Sequence, residues 1–479
     1  MKKSAYILLL LACVFACGNP SEEKNLPDAG TDVEVSEVLP ITGTFVNLPY
    51  QDVRNKYTNP PHIDNTDPQM WAAKIAEMKS MGMEYLVFMS VANEQKAYYP
   101  SKLMDWHYPQ WRKSPVDAVM DAAAENGMKV FMSTGWAKDQ DDNLRDPKIK
   151  GRQLEMMEEL AGIYGGHPAF HGWYLPVEDC LGPVLTDYAV EAVNALTARA
   201  RELTPAAKIL ISPYGIFNSD FDDPRYEQQL SRLKVDIIAY QDEVGCVRER
   251  YPLTRLRENW KKLRAIHDKT GVEMWANCES FTWEKGTNDR SSALIPAAFS
   301  RLLAQQVAAT VGGVDRIISF TMCGIYEPSE TRYELGQPIW SREAGMEYLH
   351  WLEHGSLLAD AMLGKFGPIA TEDPADPRWT KYPKGTHEIV FEHCDELSWL
   401  MVLMLDCAKD GIVPPQKVHL FTSDDGEKWS LYEIKDSPAF PNTLHDAFID
   451  HLVFSPVKSP YLKIAFTAEE EVYLQTICH

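Results

Sequence analysis

The sequence predicts a (β/α)8 barrel followed by a small all-β sandwich. Three observations carry that prediction. Eight short β-rich runs alternate with helical patterns between residues 41 and 354. Several of the joints share one helix–glycine–strand design. After about Gly355 the helical rhythm gives way to closely spaced strand-like runs.

The β-rich runs are Ile41–Leu48, Tyr85–Val91, Lys129–Thr134, Phe170–Leu175, Ile209–Pro213, Val235–Gln241, Val272–Asn277 and Arg316–Met322. Each is short and rich in Val, Ile, Phe, Tyr or Trp, as parallel strands covered on both faces should be. After the first run, Asp67-Pro68 offers an N-cap with proline at the first helical position. Trp71, Ile75 and Met78 then recur at helical spacing, and Gly82 supplies the stop. Ser114-Pro115 opens another helix that Gly127 closes before Met128-Lys129-Val130-Phe131. Gly271 does the same before Val272-Glu273-Met274-Trp275. A doubly wound open sheet is the structural rival, but no G-x-G-x-x-G turn follows the first run. Beyond Gly355 the runs Glu388–Glu392, Trp399–Leu405, Lys417–Thr422, Trp429–Ile434, His451–Phe454 and Tyr461–Thr467 read as strands, with a turn at Asp424-Asp425-Gly426. They place a sandwich in residues 355–479.

The chain has 479 residues, more than one core usually serves. Its 47 Lys and Arg against 69 Asp and Glu give a net charge of −22, which repels phosphate backbones and argues against nucleic acid as a partner. Lys2-Lys3 precede an apolar stretch from Ala5 to Ala16, too short for a permanent transmembrane helix. Its end, Val14-Phe15-Ala16-Cys17, resembles a bacterial lipobox with Cys17 as the lipidated residue; Leu10-Leu11-Ala12-Cys13 is a weaker competitor. Residues 1–17 are therefore expected to form a lipoprotein signal peptide. Residues 18–39, polar and acidic with Pro20, Pro27 and Gly30, would form a tether, and residues 40–354 the barrel. Export and a lipid anchor in the outer membrane follow as expectations. Cysteine spacing does not suggest a disulfide scaffold, and neither C-x-x-C pairing nor H-E-x-x-H spacing occurs, so no metal and no cofactor are expected.

A barrel of this type builds its site at the C-terminal ends of its strands. The fourth run ends Trp173-Tyr174-Leu175-Pro176-Val177-Glu178-Asp179, the sixth Tyr240-Gln241-Asp242-Glu243, and the seventh Trp275-Ala276-Asn277-Cys278-Glu279-Ser280-Phe281. Cleaving a glycosidic bond takes two carboxyl groups, one to protonate the leaving oxygen and one to attack carbon or activate water. Glu178 and Glu279, at strand ends four and seven, are the candidate pair; Asp179, Asp242 and Glu243 are alternative acids. Trp136, Trp173, Tyr174, Tyr214, Trp275, Phe281, Trp283 and Tyr326 fall near the same rim, where ring faces would pack against sugar C–H faces. Gln241, Asp242 and Asn277 are candidate polar contacts to a carbohydrate substrate.

The four/seven placement resembles the large clan of retaining glycosidase barrels. That resemblance implies an acid/base at Glu178 and a nucleophile at Glu279. More specifically, Gly172–Glu178, Ser212-Pro213-Tyr214, Gln241-Asp242 and Trp275–Phe281 look like an uncharacterised glycosidase-like barrel family common in Bacteroides-type lipoproteins. One position departs from the clan pattern: Val177, not Asn, precedes Glu178, so Asn277 or Gln241 would have to supply the missing contact to the substrate's 2-hydroxyl. The run Val418–Trp429 resembles discoidin-like sandwich modules, which brace a neighbouring barrel or bind glycan. The chain thus reads as an exported glycoside hydrolase. Its rivals are a glycan-binding lipoprotein that no longer cleaves and a lyase using Tyr214 or Tyr326 as base.

Overall fold

A computed structural model describes residues 36–48, 64–107, 113–139, 141–246, 253–286, 288–333, 340–392, 394 and 396–479. Cys17, the expected signal peptide and most of the expected tether lie outside the described residues. The chain divides into two compact units between Leu363 and Gly364.

In the first unit eight parallel strands close into a barrel: β1 (Ile41–Val46), β2 (Tyr85–Phe88), β3 (Lys129–Ser133), β4 (Phe170–Tyr174), β5 (Lys208–Ile211), β6 (Ile237–Gln241), β7 (Glu273–Glu279) and β8 (Arg316–Phe320). Neighbours in the chain are neighbours in the barrel, and β8 returns to pair with β1. All eight predicted runs are barrel strands. The longest helices between them are α1 (Pro68–Ser80), α2 (Pro115–Glu125), α3 (Pro147–Tyr164), α4 (Asp187–Leu203), α5 (Pro224–Arg232), α6 (Leu253–Thr270) and α7 (Phe299–Val311), with α8 (Ser341–His354) and α9 (Leu357–Met362) after β8. Four of them begin with a capping side chain followed by proline: Asp67, Ser114, Asp146 and Asp223 each accept a backbone N–H of the first turn. Gly82, Gly127 and Gly271 all have positive φ, the reason glycine recurs at these joints.

Strand alternation sorts the side chains. Phe45, Tyr85, Val87, Phe131, Tyr174, Leu210, Ile237, Ala239, Trp275 and Ile318 form one apolar cluster inside the barrel. Intervening residues face the helices: Trp173 donates its indole N–H to Thr204 Oγ1 at 2.8 Å, and Tyr240 Oη meets His267 Nε2 at 2.7 Å. At the N-terminal end the Arg316 guanidinium lies over the rings of Tyr85 and Trp275, at 4.9 and 5.6 Å.

The second unit holds two four-stranded antiparallel sheets. One has the order β9-β16-β11-β14, built from β9 (Thr380–Tyr382), β11 (Leu400–Asp406), β14 (Phe448–Phe454) and β16 (Val472–Cys478). The other is β10-β15-β12-β13, from β10 (Gly385–Glu392), β12 (Lys417–Ser423), β13 (Ser430–Asp436) and β15 (Tyr461–Ala468). Both contribute to one core, with Val402, Met404, Leu452 and Leu474 from the first meeting Phe391, Val418, Leu420 and Ile464 from the second. The sequence reading missed β9 and β16. In the predicted turn, Ser423 Oγ accepts the N–H groups of Asp425 and Gly426, and Asp425 accepts those of Glu427 and Lys428. Trp429 is half-buried, with the Lys463 ammonium 4.8 Å from its ring centre.

Candidate active site

Inward-facing positions change chemistry along the barrel axis. Continuing five of the eight strands by two residues beyond the apolar cluster gives Asn47 after Phe45, Ser133 after Phe131, Ser212 after Leu210, Gln241 after Ala239, and Asn277 then Glu279 after Trp275. These are polar, whereas β2, β4 and β8 continue with the apolar Met89, Pro176 and Phe320. Asn47, Ser133, Ser212, Asn277 and Glu279 are also buried. Ser133 and Ser212 bond the Met89 and Ala239 carbonyls, whereas the unpaired atoms of Asn47 and Asn277 are costly unless something binds them.

Glu279, at the end of β7, is 5% exposed and held from several sides. The Cys246 N–H donates to its Oε2 at 2.5 Å, and its own N–H donates to Asp242 Oδ1 at 3.1 Å. Behind it, α7 contributes Arg301, whose Nη2 donates to the carbonyls of Glu279 and Phe281 at 2.8 Å each. Gln305 donates to Asp242 Oδ2 at 2.6 Å and to the Glu279 carbonyl at 3.2 Å. Gly245 is required here, because a Cβ would stand 2.3 Å from the Phe281 carbonyl oxygen and 3.1 Å from Glu279 Cβ. Burial, followed by the nearby Asp242 and Glu243, holds the Glu279 carboxyl well above the ordinary range; the Cys246 N–H and Arg301 oppose the rise.

Glu178 lies beyond β4. Its side chain is open to water, but protein surrounds it closely enough that desolvation raises its pKa to about 7, against a hydrogen bond with Gln241 that lowers it. Gln241 on β6 bonds to Glu178, donates to the Ser212 carbonyl at 2.9 Å, and pairs in register with Asn277. Asn277 donates to Ser212 Oγ at 3.1 Å, and its Oδ1 has no partner among the described residues. Glu243 joins this group. It adopts φ +55°, unusual for a side-chain-bearing residue, and accepts the Gly215 N–H at 2.7 Å; burial raises its pKa to about 7. Tyr214, 38% exposed, feels the charges of Glu178 and Glu243 and stands as an open ring at this rim. Beside Glu178 a cavity of about 50 Å³ is lined by Thr134, Trp136, Asp142, Gln153 and Tyr188 among others. It has room for a substituent or one or two waters, not for a sugar ring.

Several sequence-predicted contacts lie elsewhere. Trp173 faces the helices because Tyr174 beside it faces inward. Tyr174 belongs to the apolar floor, its ring 5.3 Å from that of Phe45. Trp275 points inward, but four residues below Glu279, a rise of about 13 Å at strand geometry; it packs against Tyr85 and Phe131 at the opposite end. Asp242 is 0% exposed and bonded on both oxygens, so it braces Glu279 rather than meeting a ligand. Tyr326 is 0% exposed and donates to the Ala297 carbonyl at 2.8 Å. Phe281 is 3% exposed, in a hairpin pairing Phe281–Trp283 with Leu294–Pro296. Trp136 is 9% exposed and donates to the Pro176 carbonyl at 3.2 Å, at the edge of the small cavity. Asp179 accepts the Thr186 N–H and hydroxyl ahead of α4.

The sequence reading did not single out Asn47, Arg301 or Gln305. For the last two the signal was present: polar residues four apart in a helix otherwise rich in Leu, Ala and Val. Among the described residues no group of three or more His, Cys, Asp or Glu converges to hold a metal ion, and Cys180, Cys246, Cys278 and Cys407 form no disulfide.

Residues 41–332 match the model of a family described as "Domain of unknown function (DUF4434)". No curated protein matches the sequence. Among solved structures, a proposed alpha-L-fucosidase from Bacteroides thetaiotaomicron superposes with a TM-score of 0.51 at 19% identity, covering 70% of this chain and 99% of that one. A glycoside hydrolase family 5 protein from Bacteroides vulgatus gives 0.41 at 12% identity, with 90% and 89% covered. A GH99 endo-alpha-mannosidase from Bacteroides thetaiotaomicron gives 0.42 at 13%, with 67% and 98% covered. The first establishes a shared fold, and at that identity fold alone.

Proposed function

The chain belongs to the DUF4434 family through its barrel, and we propose that it is an exported glycoside hydrolase acting on a poly- or oligosaccharide, with Glu178 as proton donor and Glu279 as nucleophile. One observation carries this reading: two carboxyls at the ends of β4 and β7 stand at a mouth where five of the eight strands turn polar side chains inward, above a barrel filled with apolar ones.

The environments of the two carboxyls favour these roles. A group that protonates a leaving oxygen and later deprotonates water must exchange protons with solvent, and Glu178 is the accessible one. Its pKa of about 7 keeps a proton available near neutrality. A nucleophile must be held still, and Glu279 is fixed by the Cys246 N–H above and by Asp242, Arg301 and Gln305 behind. Its raised pKa has a consequence for rate. Burial and the neighbouring Asp242 and Glu243 oppose the ionised Glu279 that attack requires, and activity should fall as pH passes about 7 and Glu178 loses its proton. A retaining outcome corresponds to carboxyl groups about 5–5.5 Å apart. Lipidation at Cys17 and display from the outer membrane complete the proposal.

The roles are tested by leaving-group dependence. On 2,4-dinitrophenyl glycosides, whose leaving group needs no proton, Glu178→Ala should keep its glycosylation step, while Glu279→Ala should lose it; azide should give a glycosyl azide of retained configuration with Glu178→Ala and of inverted configuration with Glu279→Ala. The opposite pattern would exchange the two roles.

A further inference from the structure

Building on that reading, we infer that Asn47 grips two adjacent hydroxyl groups of a neutral sugar and so anchors the substrate on the β1 side of the mouth. Asn47 directly follows Val46, the last residue of β1, and the ladder continues past it, with the Met89 N–H donating to the Val46 carbonyl at 3.0 Å. Phe45 points into the barrel, its ring 5.3 Å from Tyr174 and 5.6 Å from Phe320, so alternation turns Asn47 into the layer immediately above that floor. It is 5% exposed, yet neither Nδ2 nor Oδ1 meets a hydrogen-bond partner among the described residues. A carboxamide can donate two hydrogen bonds and accept two, and one left wholly unpaired is costly to a folded chain.

A second orphan faces the same mouth. Asn277, one strand beyond β8, bonds Ser212 through its Nδ2 but leaves Oδ1 unpaired. Two buried carboxamides with open valences, on strands separated only by β8, suit a ligand dense in hydroxyls. The fork of Asn47, one N–H donor beside one carbonyl acceptor, matches a vicinal diol, whose hydroxyls can accept from the first and donate to the second. Above about pH 7 the ionised Glu178 and Glu243 would repel a uronic acid or sulfated sugar, which favours an uncharged ligand.

A structural asparagine and a ligand-gripping one differ in a readout that activity alone would miss. Asn47→Leu keeps the branched shape and removes the polar atoms. In the full chain it should leave the thermal midpoint unchanged or raise it, since no internal bond is lost. Meanwhile kcat/KM on 4-nitrophenyl glycosides of both anomers (gluco, galacto, manno, xylo, fuco and N-acetylglucosamine) should fall roughly 10- to 100-fold. On whichever of these the parent cleaves, the loss should shrink to within about threefold when the analogue lacks the hydroxyl that Asn47 holds. A lowered midpoint with unchanged kcat/KM would make Asn47 a structural residue and overturn this inference, leaving the two-carboxylate reading intact. Equal losses on parent and deoxy sugars would also overturn it. A parent that neither cleaves nor binds any of these glycosides would remove the reading beneath it as well.

Discussion

The two ends of the barrel interior are built from the same eight strands with the same alternation, yet they hold opposite chemistry. At the N-terminal end Tyr85, Phe131, Trp275 and the Arg316 guanidinium close the bottom with rings 5.2–6.1 Å apart. Four residues further along β7 the inward side chain is Glu279, and Asn277 just below it, like Asn47 on the β1 side, carries buried polar atoms without partners among the described residues. Stability is concentrated where the layers are complete, and binding capacity where they are not.

The comparison can be broken most forcefully at the bottom. Trp275→Ala should cost about 3–5 kcal/mol in urea unfolding, because its ring fills the centre of the apolar layer. Activity per folded molecule should change little, since the ring lies far from both carboxyls. A loss of turnover without a loss of stability would mean that the lower layer belongs to the site.

The upper layer gives a pH signature. Glu243 has a folded pKa of about 7 against an ordinary 4.5, so the folded state binds the proton more tightly than the unfolded one. Its stabilising effect is full below about pH 4.5 and is lost as pH rises through about 7. Glu243→Gln should escape that loss and be more stable than the parent by about 1–3 kcal/mol above pH 7, with little difference at pH 4. Denaturation midpoints at the two pH values measure this directly; equal differences at both would remove the titration from the account.

The smallest effect sharpens the rim. Tyr214 is half in water and holds no catalytic proton in this reading, so Tyr214→Phe should alter kcat/KM by no more than about threefold. Tyr214→Ala should raise KM more than it lowers kcat, as loss of a sugar platform does. A collapse of kcat in Tyr214→Phe would favour the lyase alternative, in which that hydroxyl is the base.

Much of this was legible in the sequence because local rules suffice for it. Asp-Pro and Ser-Pro starts, glycine stops at Gly82, Gly127 and Gly271, and short apolar runs fix where strands and helices begin, and their count gives the barrel. Strand ends four and seven then place Glu178 and Glu279. The aromatic set was less legible. Trp173 and Tyr174 are adjacent in a strand, so only one can face inward, and Trp275 lies two inward positions below Glu279; nearness in sequence to a strand end does not give height along the axis. The brace behind Glu279 was hidden for another reason: Arg301 and Gln305 come from α7, and only the closed fold brings them to β7.

If this mouth cleaves glycosidic bonds with two carboxyls, hydrolysis of a broad poly- and oligosaccharide panel by the parent protein beside Glu178→Gln and Glu279→Gln, with circular dichroism to follow folding, should show cleavage of at least one glycan by the parent and a loss of about 10²-fold or more in each folded variant. Cleavage that survives both substitutions, or glycan binding without any cleavage by the parent, would contradict that mechanism.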